Sequence, residues 1–379
     1  MAAQTAQDDS DFFADEIVEY GITCFGPYLI PSIPVTLGAL TFFDVITLNT
    51  FKVGILACVI FFVVLPIIYR YSYNFQRAAV FLNFVNVPPS PDYENPQKYG
   101  INGARNFYVS SGDIKLGTWQ ILPSNLEGSN ETSEDFFDRI LDNGQNVVIY
   151  SHGNGGCRLS SHRIEIYQVL RQFFHVIAFD YRSYGDSSKQ SPSELGLVED
   201  ILIVYEWVRN RTKSNVFIWG HSLGTSLSSH AFLKIQGMSV DQPVGLMLES
   251  PFNNMREEIS EFPLAKFFKF LPWFRITIVD PMSSNFKFET DKYICGINVP
   301  IMIMHAEDDN VVPYKLGYRL HTNAKKCRSE DQGRLLFYTF GSQHHFGHKF
   351  ICRAPDLPDK INTFIQLSLE TRHNKELQY

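Results

Sequence analysis

From Asn106 onward, short apolar runs alternate with longer stretches of helical spacing. Two alternating runs flank the turn Ser110-Ser111-Gly112-Asp113, and further apolar runs open at Val147, Val176, Val216, Val244, Ile301 and Leu335. The first pair predicts a hairpin. Strands separated by helical segments predict a mostly parallel sheet with helices on both faces, an α/β fold. Between the hairpin and the Val147 run, Pro123 to Gly144 reads as a polar, partly helical excursion.

The N-terminal third follows another pattern. Val53 to Tyr69 is a run of 17 residues without a charge, closed by Lys52 and Arg70. That is the shortest length that crosses a bilayer, and Pro66 is tolerable near the end of such a helix. A cleaved signal would lie nearer the N-terminus behind basic residues, whereas here Asp8, Asp9, Asp11, Asp15, Glu16 and Glu19 come first. Residues 21–51 carry Asp44 as their only charge, but Pro27, Pro31 and Pro34 argue for an interfacial or re-entrant segment over a second spanning helix. Phase by phase, the expected organisation is an acidic tail (1–20), an apolar proline-containing membrane-associated segment (21–52) and a transmembrane helix (53–69). A juxtamembrane segment and linker (70–98) follow, in which Phe75 to Val87 lies along the membrane surface and Val87-Pro88-Pro89-Ser90-Pro91 is extended. The main domain covers 99–370, with an insertion at about 251–291 that forms a cap, and a tail covers 371–379.

Composition narrows the function class. A chain of 379 residues with 45% apolar content and a net charge of −7 is long enough for one large domain and a short anchor, and is not basic enough for nucleic acid. Its six cysteines show no Cys-x-x-Cys spacing, so neither a metal site nor a dithiol redox centre is expected. Which of them pair depends on proximity in the fold.

The sharpest chemical signal is Gly220-His221-Ser222-Leu223-Gly224. It follows the apolar run Val216 to Trp219 and precedes a stretch that continues as a helix. A serine at such a strand-to-helix turn has its hydroxyl presented above the sheet, and flanking glycines at 220 and 224 let neighbouring backbone approach. Three further parts appear in the order a serine nucleophile needs. Upstream, the run Val147 to Tyr150 enters Ser151-His152-Gly153-Asn154-Gly155-Gly156, a turn able to aim a backbone N–H at a developing negative charge; Asn154 and Leu223 are the two candidate oxyanion donors. Downstream, Val299 to Met304 ends in His305-Ala306-Glu307-Asp308-Asp309-Asn310-Val311-Val312-Pro313. Asp309 is the candidate acid, while Glu307 and Asp308 fit a solvated turn. After the last strand, a loop holds His344, His345 and His348, and the residues alone do not choose a base among them.

With those motifs in place, the block from His152 through Asp180-Tyr181-Arg182-Ser183-Tyr184-Gly185-Asp186-Ser187, the elbow, Glu249-Ser250-Pro251-Phe252 and His305 to Pro313 resembles the family of α/β-hydrolase domain-containing protein 12. The likeness covers most of Tyr99 to Ile365. It implies an α/β-hydrolase fold with a small helical cap, a serine hydrolase of lysophosphatidylserine, other lysophospholipids and monoacylglycerols, and no cofactor. It also selects His348, in Gly347-His348-Lys349, as the base beside Ser222 and Asp309. The chain departs from the family at Gly155-Gly156-Cys157, where a small residue is usual. In the cap segment, Glu261 to Phe274 concentrates aromatics with Lys266 and Lys269, suited to acyl chains and to a lipid bilayer near anionic headgroups.

Orientation is read two ways. Lys52 before the apolar run against Arg70 and Arg77 after it places the main domain in the cytoplasm. The resemblance implies a single-pass protein of the endoplasmic-reticulum membrane with a lumenal catalytic domain, and Asn130-Glu131-Thr132 and Asn210-Arg211-Thr212 are acceptor patterns for glycans there. Three charges are too few to outweigh it. The same triad would serve a protein acyl-thioesterase (depalmitoylase), and the same fold a catalytically silent membrane scaffold. The retention of Ser222, Asp309 and the histidine loop speaks against the scaffold.

Overall fold

The computed structural model describes residues 32–377 apart from 86, 87, 129, 130, 132 and 272. The acidic tail, residues 21–31 and the acceptor Asn130 lie outside the described residues.

By its contacts the chain divides into two compact units, residues 77–258 with 286–379, and residues 1–76 with 259–285. The first unit holds eight strands: β1 (Ala104–Ser111), β2 (Ile114–Ile121), β3 (Val147–Ser151), β4 (His175–Phe179), β5 (Val216–His221), β6 (Gly245–Glu249), β7 (Ile301–Ala306) and β8 (Leu335–Phe340). Their order is β1-β2-β4-β3-β5-β6-β7-β8. β1 and β2 form the expected hairpin, β2 pairs antiparallel with β4, and the remaining pairs are parallel. The parallel strands read as continuous apolar runs because both faces are covered: β3, β4, β5, β6 and β7 are buried at every position.

Because β4 and β5 lie on opposite sides of β3, the right-handed crossovers that lead to them run in opposite directions. That puts Ser161–Leu170 and Glu194–Arg209 on opposite faces. The carboxyl ends of β3 and β5 therefore open a crevice at this reversal, the place where α/β sheets seat their chemistry. The C-terminal helix Leu357–Glu376 runs on through most of the stretch read as a tail, its apolar face packed into the core through Leu357, Ile361, Phe364 and Ile365.

Residues 77–85 pack on the first unit. Phe81 is fully buried against Phe286 and Phe288, with ring centroids 5.6 and 6.1 Å away. The Tyr184 hydroxyl donates to the Phe81 carbonyl, Asn83 donates to Ser183 Oγ at 2.6 Å, and the Gly156 N–H donates to the Val85 carbonyl at 3.0 Å. Part of the apolar character of Phe75 to Val87 thus serves to dock this segment on the hydrolase unit.

In the second unit, Leu48–Tyr71 is one helix of 24 residues with a mean hydropathy of 2.7 and 6% of its apolar window buried. At 1.5 Å per residue it spans about 36 Å, enough for a hydrocarbon core of ~30 Å, and is compatible with a membrane anchor. Residues Ile60–Val64 form a π-helical turn directly before Leu65–Tyr71. Pro66 explains it, since proline lacks the N–H that would bond the fourth residue back and its ring crowds that carbonyl. Among the described residues, a shorter apolar helix, Ser32–Phe42, precedes it.

In the core, Trp219 Nε1 donates to the Glu249 carboxylate at 2.9 Å. Burial, with the Asp309 charge adding to it, pushes the Glu249 carboxyl up to about 8. A folded-state value above the unfolded one contributes stability below the unfolded pKa, near 4.3, that is lost as pH rises through about 8. Glu249→Gln keeps an acceptor for Trp219 without titrating. Burial pushes the Glu258 carboxyl up to about 8 in both proteins, so the variant's thermal midpoint should fall less than the wild type's between pH 6 and 9, and the variant should be the more stable at pH 9 by ~1 kcal/mol or more.

Candidate active site

Ser222 follows β5 directly and adopts φ 52°, ψ −119°. A non-glycine residue pays roughly 1–3 kcal/mol for such backbone, and the surroundings hold it there. The Ser222 N–H donates to the Glu249 carbonyl at 2.9 Å, and the helix Leu223–Gln236 begins at the next residue. The elbow glycines are required by close approach. A Cβ on Gly224 would stand 2.1 Å from the Ser151 carbonyl oxygen, and one on Gly220 would stand 2.5 Å from that of Gly224.

The upstream turn lies against this elbow. A Cβ on Gly153 would meet His221 Nδ1 at 2.9 Å and Ser222 Cβ at 3.0 Å, so the Gly153-Asn154 backbone flanks the serine. Leu223 opens a helix, whose first N–H groups have no intrahelical acceptor. Both candidate donors are thus on the loop and the helix end that border Ser222.

At the end of β7, both oxygens of Asp309 are occupied. Oδ1 accepts from the Val311 and Val312 N–H groups at 2.9 Å each. Oδ2 lies 2.8 Å from His348 Nδ1 and 3.2 Å from His305 Nε2. Burial alone would raise its pKa, but His348 and the hydrogen bonds from His305 and His348 outweigh that and hold the carboxyl far below the usual range. With an ionised carboxylate as acceptor, His348 carries its proton on Nδ1, which leaves Nε2 free to act as a base. His344 and His345 are exposed, whereas His348 is 7% exposed. The structure thus brings Asp309 to one histidine of the three.

The alpha/beta hydrolase fold profile matches residues 146–245. The lysophosphatidylserine lipase ABHD12 of Danio rerio is 35% identical over 80% of this chain and 81% of its own. The protein of the same name from Rattus norvegicus is 36% identical over 84% and 81%. The chain belongs to the ABHD12 family of α/β-hydrolases. It is a serine hydrolase. Protein ABHD12B of Homo sapiens is 32% identical over 76% of this chain and 79% of its own. Among solved structures, the Pyrococcus furiosus esterase Pf2001 superposes with a TM-score of 0.53 at 17% identity, covering 75% of this chain and 97% of that one, a likeness of fold.

Several residues that frame the site in this ABHD12-family chain carry no local signal. Arg163, 1% exposed, donates to the Cys157, Gly153 and Gly155 carbonyls at 2.8, 3.0 and 2.7 Å and so shapes the turn that holds the candidate donor Asn154. His221 Nε2 lies 2.9 Å from the His348 carbonyl, which can only accept, so His221, the residue before Ser222, is tied to the backbone of the candidate base. Burial and then the neighbouring His348 ring push its imidazole down to about 3, so it stays neutral. His305 Nε2 also donates to the Val312 carbonyl at 2.9 Å. Asp308 is more than a solvated turn residue, because its carboxylate accepts from the Gly347 N–H at 3.0 Å and anchors the loop beside His348. Its neighbour Glu307 is exposed and accepts from the Ser342 N–H at 3.2 Å.

Arg163→Met should lower kcat by ~10-fold or more with a smaller change in KM, because it disturbs donors used in the transition state. Arg163→Lys should recover part of that loss. His221→Phe should act the same way, and His221→Gln, which retains a donor, should restore activity in steady-state assays that leave the thermal midpoint within a few degrees.

Proposed function

We propose that this chain is a membrane-bound hydrolase that cleaves the acyl ester of single-chain lipids, lysophosphatidylserine and other lysophospholipids first and monoacylglycerols second. The observation that carries the reading is the Asp309–His348 pair tied through His221 to the Ser222 elbow. In this mechanism His348 Nε2 takes the Ser222 proton as Oγ attacks the ester carbonyl, and the Asn154 and Leu223 N–H groups receive the oxyanion. Asp309 holds the ring and stabilises the imidazolium. The leaving alcohol takes the proton from His348, and water, activated by the same base, releases the fatty acid from the acyl-enzyme. No metal or organic cofactor is part of it.

The substrate class rests on relatives that bear the name lysophosphatidylserine lipase. The helix Leu48–Tyr71 would be the anchor. A lumenal hydrolase domain is supported by the Cys295–Cys327 disulfide, since such bonds persist in oxidising compartments. It is supported too by Asn210, exposed at the end of Glu194–Arg209 where a glycan has room.

Fluorophosphonate labelling of membranes should mark the wild type and not Ser222→Ala, and Ser222→Ala or His348→Ala should each lower turnover by roughly 10⁴-fold or more. Lysolipid hydrolysis should exceed that of acylated peptides; the reverse would favour the thioesterase, and equal absence of label in folded wild type and variant would leave a scaffold. A glycosidase-sensitive mobility shift lost in Asn210→Gln is the expected sign of a lumenal domain.

A further inference from the structure

The segment 259–285 has a small core of its own. Ala265, Leu271, Phe274 and Val279 are buried there, with Ile259, Phe270, Trp273 and Ile278 packed against them. Having that core, it still exposes Phe262, Phe268 and Ile276. Its polar ties run to the end of the apolar helix. The Tyr69 hydroxyl donates to Met282 Sδ, the Arg70 guanidinium to the Ile276 carbonyl, and Asn285 Nδ2 to Gln76 Oε1 at 2.7 Å. Gln76 in turn donates to the Tyr69 and Arg70 carbonyls at 2.8 and 2.9 Å, capping the helix.

Farther back along the same helix, this closure gives way to a groove of about 300 Å³. It is lined by Ala57, Cys58, Phe61, Phe62, Phe268 and Trp273. Positions 57, 58, 61 and 62 form a single helix face, and the lining is almost wholly carbon, with no group to bind a charge. One wall is a helix of 24 residues whose apolar window is 6% buried, so in a bilayer the groove is continuous with the surface that meets hydrocarbon.

We propose that this groove seats the acyl chain of a bilayer lipid, so that residues 259–285 are an element of the membrane-seated unit. The inference rests on the anchor reading above. A chain of methylenes fits the chemistry: it asks for no hydrogen bond, and in a membrane it is drawn by close packing against Phe61, Phe62, Phe268 and Trp273.

The test uses the full chain in phosphatidylcholine vesicles. A lysophosphatidylcholine bearing a diazirine at mid-chain should label peptides containing 57–62 and 268–273 after irradiation. Ala57→Trp, which fills the groove, should lose that label, and Cys58→Phe provides a second filled variant should the first misfold. Phosphatidylcholine brominated at mid-chain should quench tryptophan emission in the wild type, and the quenching should be lost in Trp273→Phe. Label unchanged in both folded filled variants, quenching unchanged in Trp273→Phe, or cross-linking of Cys58 to a second copy by a bismaleimide would overturn the groove. Release of the wild type by alkaline carbonate would instead sink the anchor on which it rests, and retention of all variants keeps the two failures apart.

Discussion

The contact on which the site depends is the approach of the helix Leu223–Gln236 to the end of β3, where Gly224 leaves no room for a side chain beside the Ser151 carbonyl. That approach sets how sharply the chain turns after β5, and so imposes the positive φ at Ser222. It also brings the His152–Gly156 turn against the elbow, because the turn grows from the strand that the helix touches. A strained serine, a helix end and a loop of backbone donors are then three results of one packing constraint.

Around it, burial and neighbouring charge shift the titratable groups in different directions. Asp309 is held ionised by four donors, while Glu249 is raised by burial. His221 is lowered by the same desolvation that would penalise any buried imidazolium. Arg163 adds a fixed positive charge beneath the turn, with its hydrogen bonds gathering the Cys157, Gly153 and Gly155 carbonyls around one guanidinium.

The second unit follows different physics. Its helix satisfies its backbone internally and exposes apolar side chains, and residues 259–285 meet it with a core too small to stand alone. In water such a unit would expose a large apolar surface; in hydrocarbon that surface costs nothing. The proposed acyl groove is an expression of the same condition.

The sequence by itself determined the elements whose signals are local. Apolar runs of strand length placed all eight strands, the glycine-spaced pentapeptide marked the elbow, and a charge-free stretch with Pro66 marked the helix that the structure extends to Leu48–Tyr71. Only the tertiary structure decided matters of proximity between distant residues. It brought Asp309 to His348 and left His344 and His345 in solvent, although all three histidines share one loop and one residue type. It gave Arg163, His221, His305 and Asp308 their tasks through hydrogen bonds, most of them to main-chain groups, which leave no pattern in composition or period. It docked Phe81 on the hydrolase unit, paired Cys295 with Cys327 across 32 residues, and set 259–285 with the N-terminal helix. Periodicity reports which face of an element is buried, and the partner that buries it is chosen by the fold as a whole.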